Sequence, residues 1–281
     1  MRGRPWTAFI LLVAVVVVAL FFRSRRPYDA SPPQTPAPVA QASPVSVPDL
    51  GGREIGIGSD TTYPPFEVVD ADKTIVGFDP DMMREICKRA NCKATFITTA
   101  WEGIFVALSQ GQFDAVASGV TITDERRKTV EFSEPYLRYG QVVLVRADES
   151  AIDGVDGLRG RTVGVQTGTT NDDKATALQR EGKIGTVRRY ENFALAVKAL
   201  INKDVDAVVI DSFAADGFMQ VNQGQLKKVG PPFTSEALGI AFKQGEATLK
   251  PAFDAALSRM KTDGTLDALY KKWFVEQPPR P

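Results

Sequence analysis

Histidine is absent from the 281-residue chain, which excludes every catalytic triad or general-base scheme built on imidazole and removes the commonest metal ligand. Catalysis would have to rest on carboxylates, Lys, Tyr, Ser or Cys. Cysteine is nearly absent as well: Cys87 and Cys92, in the stretch ICKRANC, are the only two. Neither a Cys-rich zinc site nor a dense disulfide framework can be built from them. No metal, no cofactor and no catalytic residue is expected. An excess of either charge is also missing, with 34 basic against 34 acidic side chains, and beyond residue 50 the balance is 29 to 32. A nucleic-acid reader carries a basic face, so that class of partner is excluded. With 43% apolar and 24% charged residues the composition is that of a globular protein.

Cys87 and Cys92 lie near the expected end of a helix. Inside a continuous helix they would point to different faces, and the favoured reading is a free Cys87 buried on the apolar side. A bridge needs the helix to stop near Ala90 or Asn91, so that the turn brings the sulfurs together.

What the sequence does have begins with one long apolar run, WTAFILLVAVVVVALFF at residues 6–22, long enough to enter a membrane as a helix. Arginines flank it on both sides, so orientation is not fixed by charge. Residues 1–26 are expected to be a membrane anchor or signal, with an uncleaved anchor favoured. Residues 27–50 hold seven prolines among Ala, Ser, Gln and Val, a composition that makes a semi-stiff tether rather than a core.

The remainder alternates strands and helices. REIGIGSD (53–60) reads as a strand, FDPDMMREICKRA (78–90) as a helix capped by Asp79 with Met83, Ile86, Cys87 and Ala90 inward, and KATFIT (93–98) as a strand. A short helix at 103–110, the strand DAVAS (114–118) and a helix opening at Thr123 complete a β-α-β-α-β-α series, which implies a parallel sheet covered on both faces. A second series runs from RTVGV (161–165) through a helix at 170–180, TVRRY, the helix NFALAVKALIN and DAVVI (206–210). QVVLVR (141–146) and ALGIAFK (237–243) are the candidate crossover strands. Two amphipathic helices close the chain. The expected fold is α/β and two-lobed, a hinged clamshell with two crossover strands: 51–139 as the first part of lobe 1, 140–235 as lobe 2, and 236–281 returning to lobe 1.

In such a fold ligands bind at the carboxyl ends of the parallel strands, and those positions are polar and aromatic. They are Asp60 and Tyr63 after the first strand, Trp101 and Glu102 after the second, and Ser118, Gly119, Thr121 and Arg126 after the third. In the second series they are Gln166 and Thr170 after RTVGV and Asp211 after DAVVI. Each has an ordinary reading: Arg126 in a surface ion pair with Glu125, Glu131 or Glu134, Asp211 as a helix cap, Asp60 in a turn, Tyr63 and Trp101 as core aromatics. The turn TGTT lacks the lysine and spacing of a phosphate loop. Together, an anion clamp, an acidic partner for an ammonium, two aromatic walls and a further carboxylate suit a zwitterionic amino acid with an extended side chain.

The stretches SDTTYPPFE, IVGFDPDMMREIC, AWEGIFVALSQGQFDAVASGVTITDERRKTVEFSEPY, LRGRTVGVQTGTT and DGTLDALYKKWF resemble the polar amino-acid solute-binding proteins of ABC importers, the family of the glutamine-binding and lysine/arginine/ornithine-binding proteins. The resemblance covers nearly all of 52–275 and implies the type II periplasmic-binding-protein fold. It implies that Arg126 and the amides of Thr121 and Thr170 grip the α-carboxylate, while Asp211, Ser118 and the Thr121 hydroxyl hold the α-ammonium beside Gly119. Tyr63 and Trp101 would sandwich the side chain, with Asp60 at its far end. Gln166 and Ile210 depart from a Lys and a His of glutamine-binding relatives. Arg126, Asp211 and Asp60 sum to one negative charge, which a cationic amino acid (arginine, lysine or ornithine) would compensate. The partners expected are a free L-amino acid and a membrane permease, for a monomer held outside the cytoplasm. The alternatives are glutamine or another polar amino acid, a cyclohexadienyl or arogenate dehydratase using Glu102, or an anchored sensor.

Overall fold

The computed structural model describes residues 46–276. The apolar run at 6–22 and all but the end of the proline-rich stretch lie outside the described residues. Among the described residues no helix is long and apolar enough to cross a membrane.

Two five-stranded sheets form the body. The strands are β1 (Arg53–Ser59), β2 (Thr62–Tyr63), β3 (Glu67–Val69), β4 (Ile75–Val76), β5 (Cys92–Thr98), β6 (Ala115–Val116), β7 (Val130–Phe132), β8 (Leu137–Tyr139), β9 (Gln141–Arg146), β10 (Thr162–Gln166), β11 (Thr186–Tyr190), β12 (Ala207–Asp211), β13 (Leu226–Val229), β14 (Glu236–Leu238) and β15 (Ala241–Lys243). The first sheet has the order β5-β1-β6-β15-β7 and the second β11-β10-β12-β9-β13. In each, four strands run one way and a single strand, β15 in the first and β9 in the second, runs against its two neighbours. β2, β3 and β4 make a small separate sheet.

The crossings differ from the sequence expectation. QVVLVR is the whole of β9, buried at every position but Arg146, and pairs on both sides inside the second sheet. An apolar run without alternation suits such a central strand. The segments joining the lobes are β8 and β14, which pair with each other, Glu236 directly opposite Tyr139. ALGIAFK is split between this hinge pair and β15.

The helices are α1 (Phe78–Ala90), α2 (Ile104–Ser109), α3 (Thr170–Arg180), α4 (Phe193–Ile201), α5 (Ser212–Val221), α6 (Leu249–Thr262) and α7 (Thr265–Tyr270). Met83, Ile86, Cys87 and Ala90 of α1 are buried, with Phe78 and Met82. They share a core with Ile55, Ile57, Phe253, Leu257 and Met260. Each such side chain contributes about 1.5–3 kcal/mol by leaving water. The closing helices pack on the first lobe, α6 lying against α1. Val143, Val145, Val163, Val165 and Val209 fill one face of the second sheet.

Three local expectations are corrected. Asp79 is not the cap of α1: Gly77 takes that position and the Asp79 side chain turns inward. No α-helix opens at Thr123; the chain makes only a single 3-10 turn, Arg126–Lys128. Cys87 is not free but bridged to Cys92, with Cα atoms 4.5 Å apart. Asn91 ends α1 in the left-handed conformation, at φ 50°, and that reversal brings the two cysteines together.

Candidate functional site

Strand ends and helix starts of both lobes converge on one cavity, lined by Asp60, Tyr63, Trp101, Ser118, Gly119, Thr121, Arg126, Gln166, Thr170 and Asp211. These are the ten residues singled out from the sequence. Thr169, Asn171 and Phe193 line it too. Thr169 caps α3, its hydroxyl accepting from the Asp172 amide at 3.2 Å. Asn192 caps α4 in the same way and delivers Phe193 to the wall. Glu102 is exposed and is not among the lining side chains.

The Arg126 guanidinium is held without neutralisation. Nη1 donates to the Thr121 carbonyl at 2.9 Å, and Nη2 reaches the Gly168 carbonyl of the other lobe at 3.5 Å. Its carbon lies 5.1 Å from the Trp101 ring centroid and 5.2 Å from that of Phe105, a cation-π cradle. Glu125 pairs with Lys128 instead. Burial lowers the Arg126 pKa, against the opposing fields of Tyr139, Asp173, Asp211 and Glu236.

The carboxylates are engaged across the cleft. Asp211 accepts from the Tyr63 hydroxyl at 2.5 Å and from Asn171 Nδ2 at 2.8 Å. Burial pushes its pKa up to about 7; those two hydrogen bonds oppose the rise, Glu236 adds to it and Arg126 subtracts. Asp60 accepts from Thr62 Oγ1 at 2.7 Å and from Gln166 Nε2 of the facing lobe at 2.8 Å. Trp101 Nε1 donates to the Gly168 carbonyl at 3.1 Å. Tyr63 stacks on Phe66 and Phe193, with centroids 5.3 and 5.4 Å away. The lobes are therefore in contact, and they can be because α5 carries a glycine where they meet: a Cβ on Gly217 would lie 2.5 Å from the Pro64 carbonyl.

A second layer fixes the loop after β6. Gly119, at φ +54°, sits so close to Tyr63 that a Cβ would fall 2.9 Å from its ring. The Gly119 amide donates to Asp79 Oδ2 at 2.7 Å, as does the Tyr136 hydroxyl at 3.1 Å. The Ser118 hydroxyl donates to Glu67 Oε1 at 2.7 Å and accepts from the Asp60 amide at 2.9 Å. Glu67 and Asp79 are wholly buried, and one carboxyl oxygen of each, Glu67 Oε2 and Asp79 Oδ1, has no hydrogen-bond partner. Burial first, and then the charge of Asp79, raise the Glu67 carboxyl well above its ordinary range; burial raises Asp79 as well. Two carboxyls in such a place hold one proton between them.

A third layer lies at the hinge. Thr121 Oγ1 meets the Tyr139 hydroxyl at 2.6 Å, and that hydroxyl donates to Glu236 Oε2 at 2.9 Å. Gln141 Nε2 reaches Glu236 Oε1 at 2.8 Å and Thr170 Oγ1 at 3.3 Å. This chain links one lobe's lining to the other's through both hinge strands. Sequence reading missed Glu236, which follows no parallel strand. It also missed Phe193, although Phe193 follows β11 and the strand-end rule would have found it.

The profile of bacterial extracellular solute-binding proteins, family 3, matches residues 55–276. The chain belongs to that family. It is 36% identical over 229 residues to a protein named probable histidine-binding protein from Neisseria gonorrhoeae, covering 80% of this chain and 85% of that one. It is 34% identical over 234 residues to the putative ABC transporter arginine-binding protein 2 of Escherichia coli (strain K12), covering 82% and 94%. Among solved structures, an ancestral arginine-binding protein bound to arginine aligns with a TM-score of 0.74 at 36% identity, over 79% of this chain and 98% of that one. The two-lobed α/β architecture is thus the one that solved amino-acid-binding proteins share.

Proposed function

We propose that the protein binds a free cationic amino acid, arginine, lysine or ornithine, in this cavity and presents it to an ABC permease outside the cytoplasm. Residues 6–22 would tether it there as a monomer. One observation carries the reading: an unneutralised guanidinium and two buried carboxyls from facing lobes line a single small cavity. Arg126 takes the α-carboxylate with the amides at Thr121 and Thr170, and Asp211 takes the α-ammonium. Asp60 takes the side-chain cation, lying between the aromatic walls.

Glu236 sharpens the electrostatics, because its field at Asp211 makes the cavity still more favourable to a positive ligand. A neutral side chain would leave Asp60 without a counter-charge in a closed cleft. Closure follows from differential contact: the ligand touches one lobe in the open form and both in the closed form. The relatives named for arginine and histidine support the same class of ligand. Glu102, the acid expected of a dehydratase, is exposed and outside the cavity lining, which supports the binding reading over that one. Isothermal titration of ligand-stripped protein with arginine, lysine, ornithine, histidine and glutamine tests the reading. Tightest binding of glutamine refutes it.

A further inference from the structure

A second, solvent-open recess adjoins the cavity and shares Asp60 and Trp101 with it. Gln166, which lines the cavity, donates through its single amide nitrogen both to Asp60 Oδ2 at 2.8 Å and to the carbonyl of Glu191, a residue of the second space, at 3.2 Å. Rotation of that one side chain frees Asp60 Oδ2, which faces both spaces, for another donor.

The chamber has a definite chemistry. Its remaining walls are the four threonines Thr61, Thr62, Thr98 and Thr99, with Ala100 from the first lobe, and Glu191 and Asn192 from the second. Two carboxylates and no basic side chain line it, so a group entering gains by staying positive. The four threonine hydroxyls offer both donors and acceptors to a substituent that forms hydrogen bonds, which an alkyl or aryl one would leave unused.

We propose that this chamber is an extension subsite for a polar, hydroxylated substituent on the terminal nitrogen of a basic amino acid, so that N-substituted basic amino acids are ligands alongside free ones. The inference rests on the proposed reading of the main cavity. The substituted nitrogen remains a secondary ammonium with two N–H donors, replaces the Gln166 amide at Asp60, and sends its hydroxyl-bearing arm among the threonines. An acyl group on the same nitrogen abolishes the charge and is rejected.

The test is titration of the full chain with lysine, with Nε-(1-deoxyglucitolyl)lysine and with Nε-acetyllysine, repeated on Ala100→Phe and Thr98→Phe. Both substitutions fall at exposed positions in the chamber wall and outside the main cavity. The wild type is expected to bind the glucitol conjugate within about tenfold of lysine and the acetyl derivative at least a hundredfold more weakly. Each filled variant should keep lysine within about threefold and lose the conjugate by at least thirtyfold; lysine binding itself certifies that the variant is folded. A conjugate bound a thousandfold more weakly than lysine by the wild type overturns the inference and leaves the main reading standing. So does a conjugate bound equally well by both folded variants. A wild type that binds no basic amino acid removes the main reading and the inference with it.

Discussion

Tyr63 and Asp211, from opposite lobes, are joined by a 2.5 Å hydrogen bond. That bond belongs to a carboxyl whose pKa burial has raised to about 7. An α-ammonium needs the ionised form, and its arrival lowers the pKa again. Binding therefore expels a proton from the protein below about pH 7. Affinity for arginine should rise as pH climbs toward 7, by at most about tenfold per unit, and level off above it. Titrations in buffers of different ionisation heat should detect the released proton at pH 6. Affinity independent of pH from 5 to 8 would show that Asp211 does not meet the ammonium.

Arg126→Ala removes the cavity's only basic side chain. Truncating one partner of a desolvated charged pair costs about 2–5 kcal/mol, which weakens binding about thirtyfold to several thousandfold. Calorimetry reads this directly, and near-wild-type affinity would discard the proposed pose.

Gly217→Ala separates closing from folding. In the helix α5 alanine is favoured over glycine by about 1 kcal/mol, yet the added carbon would sit 2.5 Å from Pro64 once the lobes meet. The variant should melt at the same temperature as wild type or higher when empty, and bind ligand at least tenfold more weakly. Small-angle scattering with saturating ligand should report a more open particle. Unchanged affinity would contradict this account of the contact.

The Glu67–Asp79 pair makes stability fall as the pH rises. Unfolded, both carboxyls lose their protons in the ordinary range; folded, burial holds a proton well above it. Between those limits the native state binds more protons, so stability declines with increasing pH. Glu67→Gln keeps a donor toward Asp79 without a titrating proton. Its denaturation midpoint should decline less between pH 5 and 8 than that of wild type, and an equal decline would place the titration elsewhere.

The Cys87–Cys92 bridge closes a short loop. Cys87→Ser with Cys92→Ser should cost about 2 kcal/mol of stability by the loop-entropy relation and leave ligand affinity within about twofold. A large loss of affinity would mean that the turn after α1 shapes the cleft.

Much of this arrangement can be read from the chain because periodicity and position carry it. β1, β10 and β12 end where apolar runs meet polar residues, and that rule alone gathers Asp60, Gln166 and Asp211 at one cavity. What stays hidden depends on three-dimensional neighbours. Asp79 has the sequence signature of a cap, and only the proximity of Gly119 turns it inward. Phe193 is masked because NFALAVKALIN reads as an amphipathic helix whose first apolar residue belongs to the core. Glu236 becomes a site neighbour through its pairing with Tyr139, which no local pattern announces. The Cys bridge turns on one residue, Asn91, adopting a left-handed backbone.

β15 lies between β6 and β7 in the first sheet, although it is made last of all the strands. A ribosome therefore releases every cavity-lining residue, and the whole second lobe, before the first lobe has its penultimate strand. A nascent chain stalled short of residue 241 would carry the entire cavity-lining set and still have no means of assembling it. Its β6 edge would stay open to wrong partners until the carboxyl-terminal tail emerged.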